Sequence, residues 1–567
     1  MLSRRDVLQV ALAAAAVGGL PRRARAQGRA TRQDDLLQFH AKGQVTLLHM
    51  ADCHAQLNPI YYREPSVNLG VGEANGLPPH LTDSALLERF GIEAGSRDAY
   101  ALSSADFERL AREYGRVGGM DRMATLVKAI RGERGADRTL LIDGGDALQG
   151  SYTALQSRGA DMIRVLEALG VDVTTGHWEF TLGAGRVSEL FGDFKTRGVA
   201  GLDFLAGNVV ETEFREPVFR AWRMYEKGGV RIAVIGQAFP YTTVANPRWM
   251  VPAWSFGIRE TTVRRHVTAA RAAGADLVVL NSHNGFDVDR KLAARVDGID
   301  VILTAHTHDA LPMPVKVGRT LLIASGSHGK FLSRLDVAVK DGRIEDFAYA
   351  LIPVLSDAIA PDPEVAALVK EIRAPHEAML TTELARTDHL LYRRGNFGGT
   401  LDDLICSVLI EEREADLSFS PGFRWGATLL PGQAITWDDV YNATAMTYSN
   451  VYRTAMRGDA IKAILEDVAD NLFNADPYYQ QGGDMVRAGG LGYTINVDAK
   501  MGRRISNMTF LKTGEPIEPA RDYIVAGWAS VQEGTQGPPA WDLVGRYLQR
   551  RQVIVPVPST SVKVARG

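Results

Sequence analysis

Between residues 44 and about 353, short apolar runs alternate with stretches of helical periodicity. The runs at 45–49, 140–142, 204–206, 232–235, 277–280 and 301–303 read as buried strands, whereas 122–131 and 262–273 repeat apolar positions at helical spacing. Such alternation predicts an α/β core with helices covering the sheets, spanning roughly residues 40–355. Residues 58–119 break the pattern. They are rich in Pro, Gly, Asn and charge and read as a long insertion, placed where a loop shapes what enters a site. Ala360-Pro361-Asp362-Pro363 opens a charged helical stretch, so 356–386 is expected to be a linker. A second, smaller α/β domain is expected over 387–567, with its own strands, helices and Gly-rich turns.

The 567 residues are too many for one core, which agrees with two domains. A hydrophobic share of 46% makes long disorder implausible. The first 26 residues stand apart. Ser3-Arg4-Arg5-Asp6-Val7-Leu8-Gln9 is a twin-arginine pattern, an Ala-rich apolar run follows to Leu20, and Ala24-Arg25-Ala26 is a small-residue cleavage site. The run is shorter than the roughly 20 residues a membrane span needs. A removable export signal is therefore expected, with a soluble periplasmic product. The signal holds five Arg and one Asp, so its loss takes the formal charge from −3 to −7. That acidity excludes a nucleic-acid binder of the usual basic kind. Cys53 and Cys406 are expected to stay free thiols.

The chemistry sits where the strands end. Asp52-Cys53-His54 follows the run at 45–49, and Gly144-Gly145-Asp146 follows 140–142. Gly176-His177-Trp178-Glu179 follows 171–174, Ser282-His283-Asn284 follows 277–280, and His306-Thr307-His308 follows 301–303. α/β folds place ligand sites at the C-terminal ends of strands. Two metals close together need a bridging carboxylate, several neutral imidazoles and room for a hydroxide. A D-x-H or H-x-H pair in an extended loop is expected to send both side chains to one side. A lone His after a strand is more often a cap or core residue than a ligand, and His49, His80, His328 and His389 are read that way. The joint signal is a two-metal site at Asp52, His54, Asp146, His177, His283, His306 and His308.

This order of motifs resembles the metallophosphatase family, and more closely its 5′-nucleotidase branch. The resemblance implies a four-layer α-β-β-α sandwich followed by an α/β substrate domain. It also implies one metal on Asp52, His54, Asp146 and His308 and a second on Asp146, His177, His283 and His306. The departures redirect the substrate. Where nucleotidases carry G-N-H-E-F-D, this chain has Gly176-His177-Trp178-Glu179-Phe180-Thr181, so His177 replaces a ligand Asn, while Trp178 and Thr181 replace the His–Asp dyad. An alkoxide leaving group benefits from such an acid, and a sulfur leaving group, with a thiol pKa near 8.5, needs it less. Retention of all seven ligands argues against a decayed phosphatase. Ser420-Pro421-Gly422-Phe423-Arg424 stands where nucleotidases have G-G-G-I-R, which keeps Arg424 in the anion-binding place. Tyr448 stands near a base-stacking aromatic and Asn396 near the N-x-G segment, with Arg393 and Arg394 beside it. The second stacking Phe is missing, so no purine sandwich is expected.

The combination of residues 52–57, 176–181 and 482–487 is similar to the thiosulfohydrolases of the periplasmic sulfur-oxidation (Sox) system. That resemblance implies two manganese ions, a metal-bridging hydroxide, and release of sulfate from a cysteine S-thiosulfonate on the SoxYZ carrier protein. It implies Trp178 and Arg424 as residues at the reacting group, with Tyr448 and Asn396 lining the substrate site. Zinc or iron would also suit the ligands, since five imidazoles and two carboxylates favour zinc at least as well on affinity. The alternatives are a 5′-nucleotidase or other phosphoesterase, and a non-catalytic carrier-binding subunit.

Overall fold

A computed structural model describes residues 31–192 and 201–566; the expected export signal lies outside the described residues. The first domain is built from β1 (Val45–Met50), β2 (Thr139–Asp143), β3 (Val173–Thr174), β4 (Asp203–Phe204), β5 (Val210–Glu211), β6 (Trp222–Lys227) and β7 (Val230–Gln237). It continues through β8 (Trp254–Ser255), β9 (Leu277–Ser282), β10 (Val301–Thr304), β11 (Val315–Val317), β12 (Thr320–Ala324), β13 (Phe331–Lys340) and β14 (Arg343–Pro353). One six-stranded sheet has the order β14-β13-β1-β2-β3-β4, and a second has β11-β12-β10-β9-β7-β6. β1 to β4 run parallel, as do β7, β9, β10 and β12.

Alternation along each strand explains the layers. Leu47, Ile142, Ile232, Val234, Leu277, Val279, Val301 and Leu303 pack between the two sheets. Leu48 and Met50 face helices Met120–Arg134 and Ala160–Leu169 on one outer side. Ala233, Ile235, Val278, Leu280 and Ile302 face helices Glu260–Ala272 and Phe286–Arg295 on the other. The strands read as unbroken apolar runs because both faces are buried. Each such side chain stabilises the fold by about 1.5–3 kcal/mol. The result is the four-layer α-β-β-α sandwich.

The insertion is more ordered than its composition implies. It forms helices Asp83–Phe90, Arg97–Leu102 and Phe107–Tyr114, whose Tyr100, Phe107 and Leu110 join the core under the first sheet. Helix Pro363–Arg373 begins with Asp362 accepting from Val365 N–H and Pro363 in the first turn, a strong helix start. Its Val365 and Val369 pack on the first domain, and Arg373 at its end pairs with Asp438 of the second at 2.9 Å. Glu383–Thr387 already pairs with Ala434–Thr436 and Val553–Ile554, so the second domain begins inside the stretch expected to be linker. Both cysteines are buried free thiols.

Candidate metal centre

The parallel strands end at a common edge, and the loops beyond them carry the seven expected ligands. Asp52 and His54 follow β1, Asp146 follows β2, and His177 follows β3; His283 follows β9, while His306 and His308 follow β10. Two sets of four result. Ligand atoms of Asp146, His177, His283 and His306 all lie within 4.8 Å of one another, and so do those of Asp52, His54, Asp146 and His308. Asp146 belongs to both. His177 Nδ1 and His283 Nε2 each stand 3.1 Å from Asp146 Oδ2, and His54 Nε2 stands 3.0 Å from His308 Nε2.

The expected reason for this convergence was wrong. The loops are not extended. Asp52 (φ 51°), His54 (47°), Asp146 (57°), His306 (76°) and His308 (57°) all adopt the left-handed conformation, which non-glycine residues rarely take. Five of seven ligands thus sit in backbone that the surrounding packing must hold, as is common at functional sites. Left-handed turns, not strand alternation, aim the side chains inward.

The residues fit a pair of divalent cations. Backbone carbonyls orient three of the rings: Gln149 for His54 Nδ1 (3.3 Å), Gly144 for His283 Nδ1 (2.6 Å) and Gln481 for His306 Nε2 (2.7 Å). In His54 and His306 the opposite nitrogen is left to offer its lone pair, and in His283 a bound cation would displace the proton on Nε2. Burial holds His54 at a pKa of about 4 and lowers His177, His306 and His308, so these rings are neutral, the form that ligates. Burial also pulls on His283, but the carboxylates of Asp146 and Asp52 push it up to about 10. Burial raises Asp52 despite His283 nearby, so the protein's own groups do not fully compensate its charge. Two bound cations would supply what is missing.

Glu179 ties these loops together. Its Oε1 accepts from Ala147 N–H (2.8 Å) and Leu148 N–H (3.2 Å), and its Oε2 accepts from His177 N–H (2.8 Å). Asp146 Oδ1 accepts from Trp178 N–H at 2.8 Å. Phe239 packs on His177 and His306, with ring centroids 4.0 and 4.2 Å away. Neither the bridging role of Glu179 nor the packing of Phe239 was expected from the sequence. Glu179 lies within a quoted motif, but Phe239 and the carbonyl of Gln481 leave no spacing signal. His328, read as an ordinary core residue, lies 5.6 and 5.9 Å from the rings of His54 and His308 and stacks on Tyr62. His49 does match that reading: it is buried, with Nδ1 2.6 Å from Ser325 Oγ.

The second domain completes the centre. Trp178 does not border an open channel. Its indole is 7% exposed and packs edge-on against Phe423 and Trp425, with Tyr448 stacked at 6.1 Å. It belongs to the apolar core of the C-terminal domain. Thr181 Oγ1 donates to Trp178 O (2.7 Å) and lies 3.0 Å from the side-chain amide of Gln149. Arg424 donates to Thr307 O between the two ligand histidines (2.6 Å) and to Gly483 O. Its buried Nε pairs with Asp484 Oδ1 at 3.4 Å. Arg394 Nη2 donates to His308 O at 3.3 Å. Asn396 Oδ1 accepts from Leu69 N–H (2.6 Å), which fastens the insertion to the second domain. Tyr448 Oη donates to Asn246 Oδ1 (3.1 Å), another tie between domains. Trp528 donates Nε1–H to Ser420 Oγ (2.9 Å) and is packed away, leaving no second stacking face for a base.

Gly482 lies directly against the ring of His306. A Cβ there would stand 2.7 Å from His306 Nε2, and its φ is +76°. Gly482→Ala is therefore expected to displace His306 from Gln481 and lower affinity for one cation by roughly 10–100-fold, the usual cost of a lost supporting contact. Metal titration of the apo-protein would measure it, and two unchanged affinities would refute the expectation.

Fold and site together define a two-domain hydrolase of the 5′-nucleotidase class of metallophosphatases. Residues 383–542 match the family model for the 5′-nucleotidase C-terminal domain. The 5′-nucleotidase of Rattus norvegicus is 22% identical over 79% of this chain and 85% of its own length. A 5′-nucleotidase precursor of Thermus thermophilus superposes with a TM-score of 0.70 at 20% identity, covering 92% of this chain and 99% of that one. SoxB of Thermus thermophilus, described as a sulfate thiohydrolase, superposes with a TM-score of 0.87 at 38% identity, covering 92% and 97%. The chain belongs to the SoxB family.

Proposed function

We propose that this chain is a thiosulfohydrolase that releases sulfate from a cysteine S-thiosulfonate on a SoxYZ-type carrier, with two manganese ions at the seven ligands. The observation that carries the reading is Trp178, packed among Phe423, Trp425 and Tyr448 where nucleotidases place their acid. Bound divalent cations would supply Lewis-acid charge and an acidified water. The chain's own residues do the rest. Asp146 and Asp52 provide negative charge, with Asp146 shared between the two sets. The aromatic wall at Trp178 excludes water from the face where a leaving group departs, which strengthens electrostatic interactions inside. The departing persulfide sulfur carries its own negative charge and takes no proton from Trp178 or Thr181. Arg424, held by its ion pair with Asp484 (3.4 Å from Nε), brings positive charge beside the ligand loops for a sulfonate oxygen. Tyr448 and Asn396 position the wall and the insertion rather than a nucleobase.

Export by the twin-arginine route to the periplasm is part of the same proposal. Among the described residues no helix is long and apolar enough to cross a membrane. The test is sulfate release from a thiosulfonate-bearing cysteine peptide by manganese-loaded protein, beside AMP hydrolysis by the same sample. Sulfate release with little AMP turnover is expected. Efficient AMP turnover without sulfate would make the chain a nucleotidase instead.

A further inference from the structure

Beside the ligand loops lies a small cavity of about 50 Å³. Its walls include Asn284 and Gly285 next to His283, Thr307 between His306 and His308, and Gly482 against His306. Arg424 and His80 line it as well. His80 comes from the insertion, not from the sandwich, and nothing in its sequence context assigns it a role.

The ring is held with unusual care. Its Nε2 donates to Asp287 Oδ2 at 2.7 Å, and Asp287 itself is 9% exposed on helix Phe286–Arg295. A Cβ at position 70 would stand 2.7 Å from His80 Cγ, so only glycine leaves room for the ring. Asn68 Nδ2 donates to Pro79 O (3.1 Å), Arg290 Nη2 donates to Pro78 O, and His80 N–H donates to Leu77 O (2.7 Å). Asn68 also donates to Asp309 Oδ1 (3.2 Å), which occupies the nearby carboxyl. The other ring nitrogen, Nδ1, is buried and has no hydrogen-bond partner among the described residues. A side chain held this firmly, with one polar atom left over and its residue lining the cavity, can meet a ligand there.

We propose that His80, doubly protonated between Asp287 and the bound anion, is an oxyanion-binding residue of this centre, its Nδ1–H donating to a sulfonate oxygen in the cavity it shares with Arg424. The proposal rests on the thiosulfohydrolase reading for the identity of the oxyanion. The insertion then supplies a polar contact from a segment outside the motif that carries the nucleotidase dyad. It also accounts for a His–Asp pair built on a segment that otherwise only packs.

His80→Gln separates this role from a structural one. The Gln amide nitrogen reaches where Nε2 stood, so Asp287 keeps its donor, and nothing replaces Nδ1. In His80→Asn the tie to Asp287 is lost instead. Manganese-loaded wild type and both variants are compared for sulfate release from the cysteine S-thiosulfonate peptide, binding of inorganic sulfate by calorimetry, metal content and Tm. His80→Gln is expected to keep metal and Tm while KM rises and sulfate affinity falls, each by roughly ten- to a hundred-fold, the loss of one hydrogen bond to a charged group. Wild-type KM and sulfate affinity in His80→Gln, with lost stability in His80→Asn, would make His80 a structural pin and overturn the proposal. Should wild type release no sulfate, the thiosulfohydrolase reading fails, and the calorimetry still decides the pocket. Sulfate binding that weakens in His80→Gln supports it, and failure of wild type to bind sulfate overturns it.

Discussion

Asp146→Asn is expected to remove both cations and abolish turnover. Asp146 is the one residue common to both ligand sets, and its Oδ2 lies 3.1 Å from both His177 and His283. Burial alone would raise its carboxyl, but the two imidazoles hold it well below the usual carboxylate range. An amide offers neither the charge nor a second anionic oxygen, so each site loses its strongest donor. Metal content by mass spectrometry should fall from about two ions per chain to near zero, and sulfate release by a factor on the order of 10⁴ or more, given what metal activation supplies. The fold should survive, because the inter-sheet core does not involve Asp146. Two retained ions in a folded Asp146→Asn protein would dismiss a shared bridging role.

Trp178→Ala should be the most destabilising single change near the site. The indole is nearly buried, spans the domain boundary and contacts Phe423, Trp425 and Tyr448. Truncating a buried Trp costs about 3–5 kcal/mol through lost burial and the cavity left behind. Denaturant unfolding should show that loss, and activity should fall with it because the aromatic wall opens to water. Trp178→Phe keeps much of the packing and should recover most of the stability. A stability change below about 1 kcal/mol in Trp178→Ala would mean that the wall is not the packed element described here.

The seven ligands could be read directly from the chain because each lies a few residues beyond a buried strand. Strands buried on both faces give uninterrupted apolar runs, and those runs set where an α/β site must form. The insertion was harder. Its polar composition concealed Tyr100, Phe107 and Leu110, which are buried in a segment that also carries many exposed charged residues. Three short helices in sequence lack the long periodic face that makes a helix legible. The boundary of the second domain was placed slightly late because Glu383–Thr387 is a short strand whose partners, Ala434–Thr436 and Val553–Ile554, are remote in sequence.

Residue types and their spacing were enough to read the α/β class, a candidate ligand set that the fold brings together, and the replacement of the nucleotidase dyad. These depend on local chemistry: which groups can ligate, and which apolar patterns can be buried. How the ligands converge was decided only in three dimensions, by left-handed turns at Asp52, His54, Asp146, His306 and His308 that the surrounding packing sustains. The carbonyl of Gln481 behind His306, the aromatic wall around Trp178 and the pairing of His80 with Asp287 likewise join segments far apart in the chain. Such contacts leave no periodicity to read, because a hydrogen bond or ring contact between distant segments is fixed by how the layers pack.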